Sequence, residues 1–232
     1  MVNSSLKYKR VSVFAGHYGS GKTNVAINFA LMLKKNHENV TIADLDIVNP
    51  YFRTKDSEKM LNEKGIRLIS SEFASSNVDL PSLPADVYSV VDNKDVFAVL
   101  DVGGDDRGAL ALGRYLPSLA EENNFDLFFV INKYRPLTKT ADLTIEVLNE
   151  IEAATGAKFT AIVNNSNLGE ATTYEDVANS FPYAREVSEK SGLPIAFTAV
   201  KAELYEGFKN TENVFPIELF VEQSWCKKAE NQ

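Results

Sequence analysis

The stretch Gly16-His17-Tyr18-Gly19-Ser20-Gly21-Lys22-Thr23 decides how the rest of the chain is read. It fits G-x-x-x-x-G-K-[ST], the spacing of a phosphate-binding loop. Arg10 to Ala15, just before it, is rich in β-branched and aromatic residues and predicts a short buried strand. Behind it, Thr23 to Lys35 carries Val25, Ala26, Phe29, Ala30, Met32 and Leu33 at helical spacing. Strand, glycine loop and helix are what phosphate binding needs. The glycines open backbone angles closed to other residues, so successive N–H groups can converge on phosphate oxygens. The helix N-terminus adds a partial positive charge. Lys22 is expected to reach the β- and γ-phosphates, and the Thr23 hydroxyl to ligate Mg²⁺.

Downstream strands end in residues suited to the same chemistry. Asn39 to Ala43 predicts a second strand, leaving Asp44-Leu45-Asp46 at its end. Alternate residues of an extended chain share a side, so both carboxylates can face one place. There they suit a metal's waters and an attacking water. The apolar run Val96 to Leu100 predicts a strand buried on both faces and ends in Asp101-Val102-Gly103-Gly104. Asp101 is a Walker B candidate for Mg²⁺, and the Gly104 N–H is a candidate donor to a γ-phosphate.

The remaining segments alternate between helix and strand. Helices are expected at 55–64, 105–121, 138–154, 172–190 (with a possible break at Pro182) and 215–228. Strands are expected at 66–69, 125–131, 159–163 and 195–200. The long 70–84 stretch is either a client surface or a plain surface excursion. After the 125–131 strand comes Asn132-Lys133-Tyr134-Arg135-Pro136, a superficial likeness to the guanine-reading N-K-x-D. Arg135 has no acceptor for the guanine edge, which weakens a GTPase reading. The 159–163 strand runs into Asn164-Asn165-Ser166-Asn167, whose carboxamides offer both donor and acceptor to adenine.

Bulk properties narrow the classes. With 232 residues, 44% hydrophobic and 24% charged, the chain suits one α/β domain over 1–232. A net charge of −8 disfavours non-specific binding to nucleic acid or acidic membranes. No run approaches the roughly 20 apolar residues of a membrane span. Cys226 is the only cysteine, and residues 1–10 lack an apolar signal core, so a reducing, cytoplasmic setting is expected.

The order of phosphate loop, Asp44-x-Asp46 after strand two and Asp101-x-Gly103-Gly104 resembles the MinD/ParA-type P-loop ATPases. That grouping also holds the nitrogenase iron protein and the cobyrinate-synthesis amidoligases. The resemblance covers residues 10 to 200. It implies a doubly wound, mostly parallel sheet flanked by helices, a cytoplasmic ATPase or ATP-driven switch using ATP and Mg²⁺, and often a nucleotide-dependent homodimer. Residue by residue, it implies that Gly16 to Thr23 hold the phosphates, with Lys22 and Asp46 catalytic. Asp44 and Asp101 would join Thr23 at Mg²⁺, and Asn164 would read the adenine. Many members carry a lysine where this chain has His17, and that lysine crosses the dimer to the partner's nucleotide. An ATP-dependent ligase or kinase acting on a small molecule is the alternative, since the amidoligases use the same loop. The client protein or small-molecule substrate is not named by the sequence.

Overall fold

The structure is a computed structural model that describes residues 6–45, 57–70, 86–104, 108 and 112–221, with the backbone alone at 89–91. In chain order it contains β1 (Val11–Ala15), α1 (Lys22–Lys34), β2 (Val40–Leu45), α2 (Glu58–Glu63), β3 (Arg67–Ser70), α3 (Asp86–Asp92) and β4 (Phe97–Val102). There follow α4 (Leu116–Glu122), β5 (Phe125–Ile131), α5 (Ala141–Thr155), β6 (Ala161–Asn164), α6 (Tyr174–Ser191), β7 (Ile195–Lys201) and β8 (Val214–Ile217). The eight strands form one sheet in the order β3-β2-β4-β1-β5-β6-β7-β8. Every pairing is parallel.

Burial on both faces explains the apolar strand runs. In β1, Val11, Val13 and Ala15 join one core layer with Tyr115, Leu119, Val147 and Leu148. Phe14 points the other way, into a layer with Val25, Phe29 and Leu33 of α1. Phe14 lies 5.1 Å from Phe128 and 5.2 Å from Phe29, so aromatic rings fill the space between sheet and α1. The chain leaves β1 towards β2 and β3, returns to β4, then crosses to β5 on the other side of β1. Strand order therefore reverses beside β1, and the crevice at the carboxyl ends there is where such sheets bind ligands.

Three expectations change, and one helix appears where none was expected. The segment 86–92, which carries no strong periodicity, is helical. The helix expected over 105–121 is interrupted: Leu112 and Gly113 are helical, Arg114 and Tyr115 turn, and α4 restarts at Leu116 with Pro117 in its first turn. Proline lacks an N–H donor and suits a helix start better than a helix interior. Pro182, by contrast, does not break α6; it sits on the exposed side, where water can satisfy the carbonyl it leaves without a donor. Val214 to Ile217 is an edge strand rather than the start of a helix, with Val214, Phe215 and Ile217 buried. An edge position tolerates Pro216 because one side of the strand makes no ladder. The rest of the expected 215–228 helix beyond Val221, the 71–84 stretch and Asp46 lie outside the described residues.

Candidate nucleotide site

The phosphate loop leaves β1 at Gly16 and enters α1 at Lys22. Gly19 (φ 79°) and Gly21 (φ 82°) are left-handed, and Gly21 caps the helix. The Ser20 N–H donates to the His17 carbonyl at 3.1 Å, closing a tight turn. Lys22 is buried, and its Nζ donates to the same carbonyl at 3.3 Å. The ammonium therefore lies along the loop rather than out in solvent. Thr23 stands half-buried in the first turn of α1.

Two carboxylates stand at neighbouring strand ends. Asp44 of β2 and Asp101 of β4 are direct register partners, and Asp101 also pairs with Phe14 of β1. Both are buried, 5% and 1% exposed, so they are held at the crevice rather than solvated on the rim. Hard oxygen donors of this kind, with the Thr23 hydroxyl and phosphate oxygens, fit Mg²⁺. Among the described residues no group of three or more His, Cys, Asp or Glu side chains could hold a metal on its own.

The turn after β4 touches the loop directly. A Cβ on Gly104 would lie 2.6 Å from the Tyr18 nitrogen and 2.7 Å from the Gly16 oxygen. Only glycine fits there, so the turn after β4 and the phosphate loop share a backbone interface. His17 is half-buried, and its Nδ1 lies 2.9 Å from the Tyr18 carbonyl. Burial, aided by the Lys22 charge, holds its pKa below the ordinary 6.5 against the opposing hydrogen bond to Tyr18. His17 is therefore neutral at pH 7.

The asparagine run is where sequence and structure part. Asn164 is fully buried. Its Nδ2 donates to Ser180 Oγ at 2.9 Å and Thr198 Oγ1 at 3.4 Å, and its Oδ1 accepts from the Ser166 N–H and hydroxyl. The carboxamide is thus committed to joining β6, α6 and β7, and the base-reading role expected of it has no open edge to act through. Asn165 instead turns to the phosphate loop, donating from Nδ2 to the Ser20 carbonyl at 2.7 Å. Asn167 is half-exposed beside the start of α1, with its Nδ2 3.9 Å from where a Gly21 Cβ would stand. Arg135, which the sequence marked only as a poor guanine reader, donates from Nε to the Gly19 carbonyl at 2.7 Å. The sequence marked neither of them for the loop, because nothing local says which strand-end residue turns towards it.

A parallel sheet with a glycine loop at the switch point, a buried loop lysine and paired strand-end aspartates defines a P-loop nucleotide-binding protein. Residues 11–176 match the CobQ/CobB/MinD/ParA nucleotide binding domain, and the chain belongs to that family. No curated protein matches the chain. Similar solved structures include FtsY from Mycoplasma mycoides, with a TM-score of 0.54 and 15% identity over 85% of this chain and 61% of that one. FtsY from Thermotoga maritima gives 0.55 and 19% over 86% and 66%. Signal recognition particle 54 kDa protein from Aeropyrum pernix, in complex with GDP, gives 0.50 and 13% over 84% and 42%. At these identities the likeness is one of fold alone. The chain spans about three fifths of the length of the first of these structures.

Proposed function

We propose that the chain is a Mg²⁺-dependent ATPase or ATP-driven switch that converts ATP to ADP and phosphate. The observation that carries this reading is the buried Lys22 ammonium on the His17 carbonyl, inside a glycine loop and beside the register-paired Asp44 and Asp101. A phosphate seated in the loop would replace that carbonyl as the acceptor for Lys22, at little cost in reorganisation. Thr23, Asp44 and Asp101 would hold Mg²⁺, which supplies neutralisation of charge on the β- and γ-oxygens. Asp46, outside the described residues, is assigned the orientation of the attacking water. Gly104, pressed against Tyr18 and Gly16, would offer its N–H at the γ-phosphate end.

For the base, Asn167 replaces Asn164 in this reading. It stands at the rim near α1, and its Nδ2 and Oδ1 each make one internal bond, to the Asn165 carbonyl and from the Gly169 N–H. A carboxamide retains a second N–H and a second lone pair, which match the donor and acceptor of adenine. No carboxylate occupies the asparagine run, which argues for ATP over GTP.

Competition binding with ATP and GTP, paired with single-turnover phosphate release, tests the reading. Preference for ATP with measurable release is expected. Equal or tighter GTP binding would remove the base assignment. Tight ATP binding with release only on adding a carboxylate or hydroxyl substrate would replace the ATPase by a ligase or kinase.

A further inference from the structure

The phosphate loop is gripped from outside by two side chains that have no place in the ATPase assignment above. Arg135, three residues beyond Asn132 at the end of β5, donates from Nε to the Gly19 carbonyl at 2.7 Å. Asn165, just after β6, donates from Nδ2 to the Ser20 carbonyl at 2.7 Å. Consecutive carbonyls of the loop are thus held by donors from two adjacent strand ends.

We infer that Arg135 and Asn165 are positioning residues that fix the phosphate loop in its anion-accepting shape, an inference that rests on the nucleotide reading of that loop. In a trans peptide the C=O and the following N–H point in opposite directions. Turning the Ser20 carbonyl to Asn165 therefore turns the Gly21 N–H away from Asn165, towards the loop's interior. Turning the Gly19 carbonyl to Arg135 sets the Ser20 N–H towards the His17 carbonyl, where it closes the turn at 3.1 Å. Without these donors either carbonyl could swing inward, where its negative end would oppose a phosphate.

The glycines show that the grip is close. A Cβ on Gly19 would stand 3.3 Å from Arg135 Nε, and one on Gly21 would stand 2.3 Å from Asn165 Nδ2. Any side chain at Gly21 would have to push the Asn165 carboxamide off the loop. Asn165 is 1% exposed, and its Oδ1 and the Ser20 hydroxyl are buried without a hydrogen-bond partner. The Asn165 side chain is held at the loop for its donor, with its acceptor left over. The Arg135 guanidinium also places a positive charge against the loop's turn, adding attraction for an anion.

The test is calorimetric ATP and ADP affinity, with Mg²⁺, for the full chain and for Lys22→Ala, Arg135→Ala, Arg135→Lys, Asn165→Ala and Asn165→Asp. Arg135→Ala should weaken both nucleotides about tenfold or more, the scale of one hydrogen bond from a charged donor. Arg135→Lys should recover part of the loss, because an ammonium can also donate to the Gly19 carbonyl. Asn165→Asp should lose more than Asn165→Ala, since a carboxylate cannot donate to Ser20 and repels the phosphates. The phosphorus resonance of the β-phosphate in bound ADP should shift in the alanine variants, a change that a general loss of stability does not produce. If wild type binds ATP, Lys22→Ala does not, and Arg135→Ala and Asn165→Ala match wild type in affinity and phosphorus shift, the clamp is overturned while the nucleotide reading stands. If wild type binds neither ATP nor ADP, the ATP reading fails and the inference falls with it.

Discussion

Gly104 illustrates how much a single residue sets at this site. Any side chain there would meet the backbone of Gly16, His17 and Tyr18 at under 3 Å, with no flexible group to give way. Gly104→Ala should therefore displace the phosphate loop and weaken ATP at least tenfold, while circular dichroism shows the fold retained; unchanged affinity would mean that the two turns move independently. Asp46→Ala makes the opposite separation. If Asp46 orients water, ATP affinity should stay nearly intact while kcat falls on the order of 10²-fold, measured by phosphate release under saturating ATP. The loop itself was legible in the sequence because its glycines, lysine and threonine act through local spacing. The choice among Asn164, Asn165 and Asn167 was not. It depends on which residue leaves β6 facing inward, and Asn164 turns out to be the one that ties Ser180 and Thr198 together.

At the scale of elements, the strands that carry the site were readable because parallel strands buried on both faces are continuously apolar. The last strand was not. Ile217 and Val221 read as one helical face in the sequence, and pairing with β7 makes Val214 to Ile217 a strand instead. The sheet's amino edge depends on a contact that no local pattern announces. Arg10, 4% exposed, forms a salt bridge with Glu122 of α4 and donates to the carbonyls of Asn93 and Val96 at 3.1 and 2.9 Å. The hydrogen bond from Arg10 holds the Glu122 pKa below the usual carboxylate range, outweighing the burial that would raise it. A depressed folded pKa contributes stability that is present above the unfolded value of about 4.3 and is lost as pH falls through the folded value. Urea unfolding should thus show stability falling below about pH 4.3, with a smaller fall in Glu122→Gln. At pH 7 that variant should be less stable by about 1 kcal/mol, because Glu122 is only partly buried and glutamine keeps an acceptor for Arg10. Equal stability of the two proteins at pH 7 would show that the pair contributes nothing net.

For the molecule as a whole, the topology gathers what the sequence scatters. Residues from the ends of β1, β2, β4, β5 and β6 meet at one edge of the sheet because strand order reverses beside β1. If two such edges met over ATP through the His17 position, as the resemblance implies, their association should be weak, since burial disfavours a charged imidazole there. Sedimentation velocity with ATP at pH 8 should show little dimer, and His17→Lys should show more. A tight ATP-dependent dimer in both wild type and His17→Ala would assign the crossing charge to another group.

The most direct test of the central assignment is a calorimetric titration of ATP with Mg²⁺ into wild type and Lys22→Ala, followed by phosphate release from the same samples. One ATP per chain is expected for wild type with slow release of phosphate, and loss of both binding and release in Lys22→Ala. Equal ATP binding by the two proteins, or no binding by wild type, would contradict that assignment.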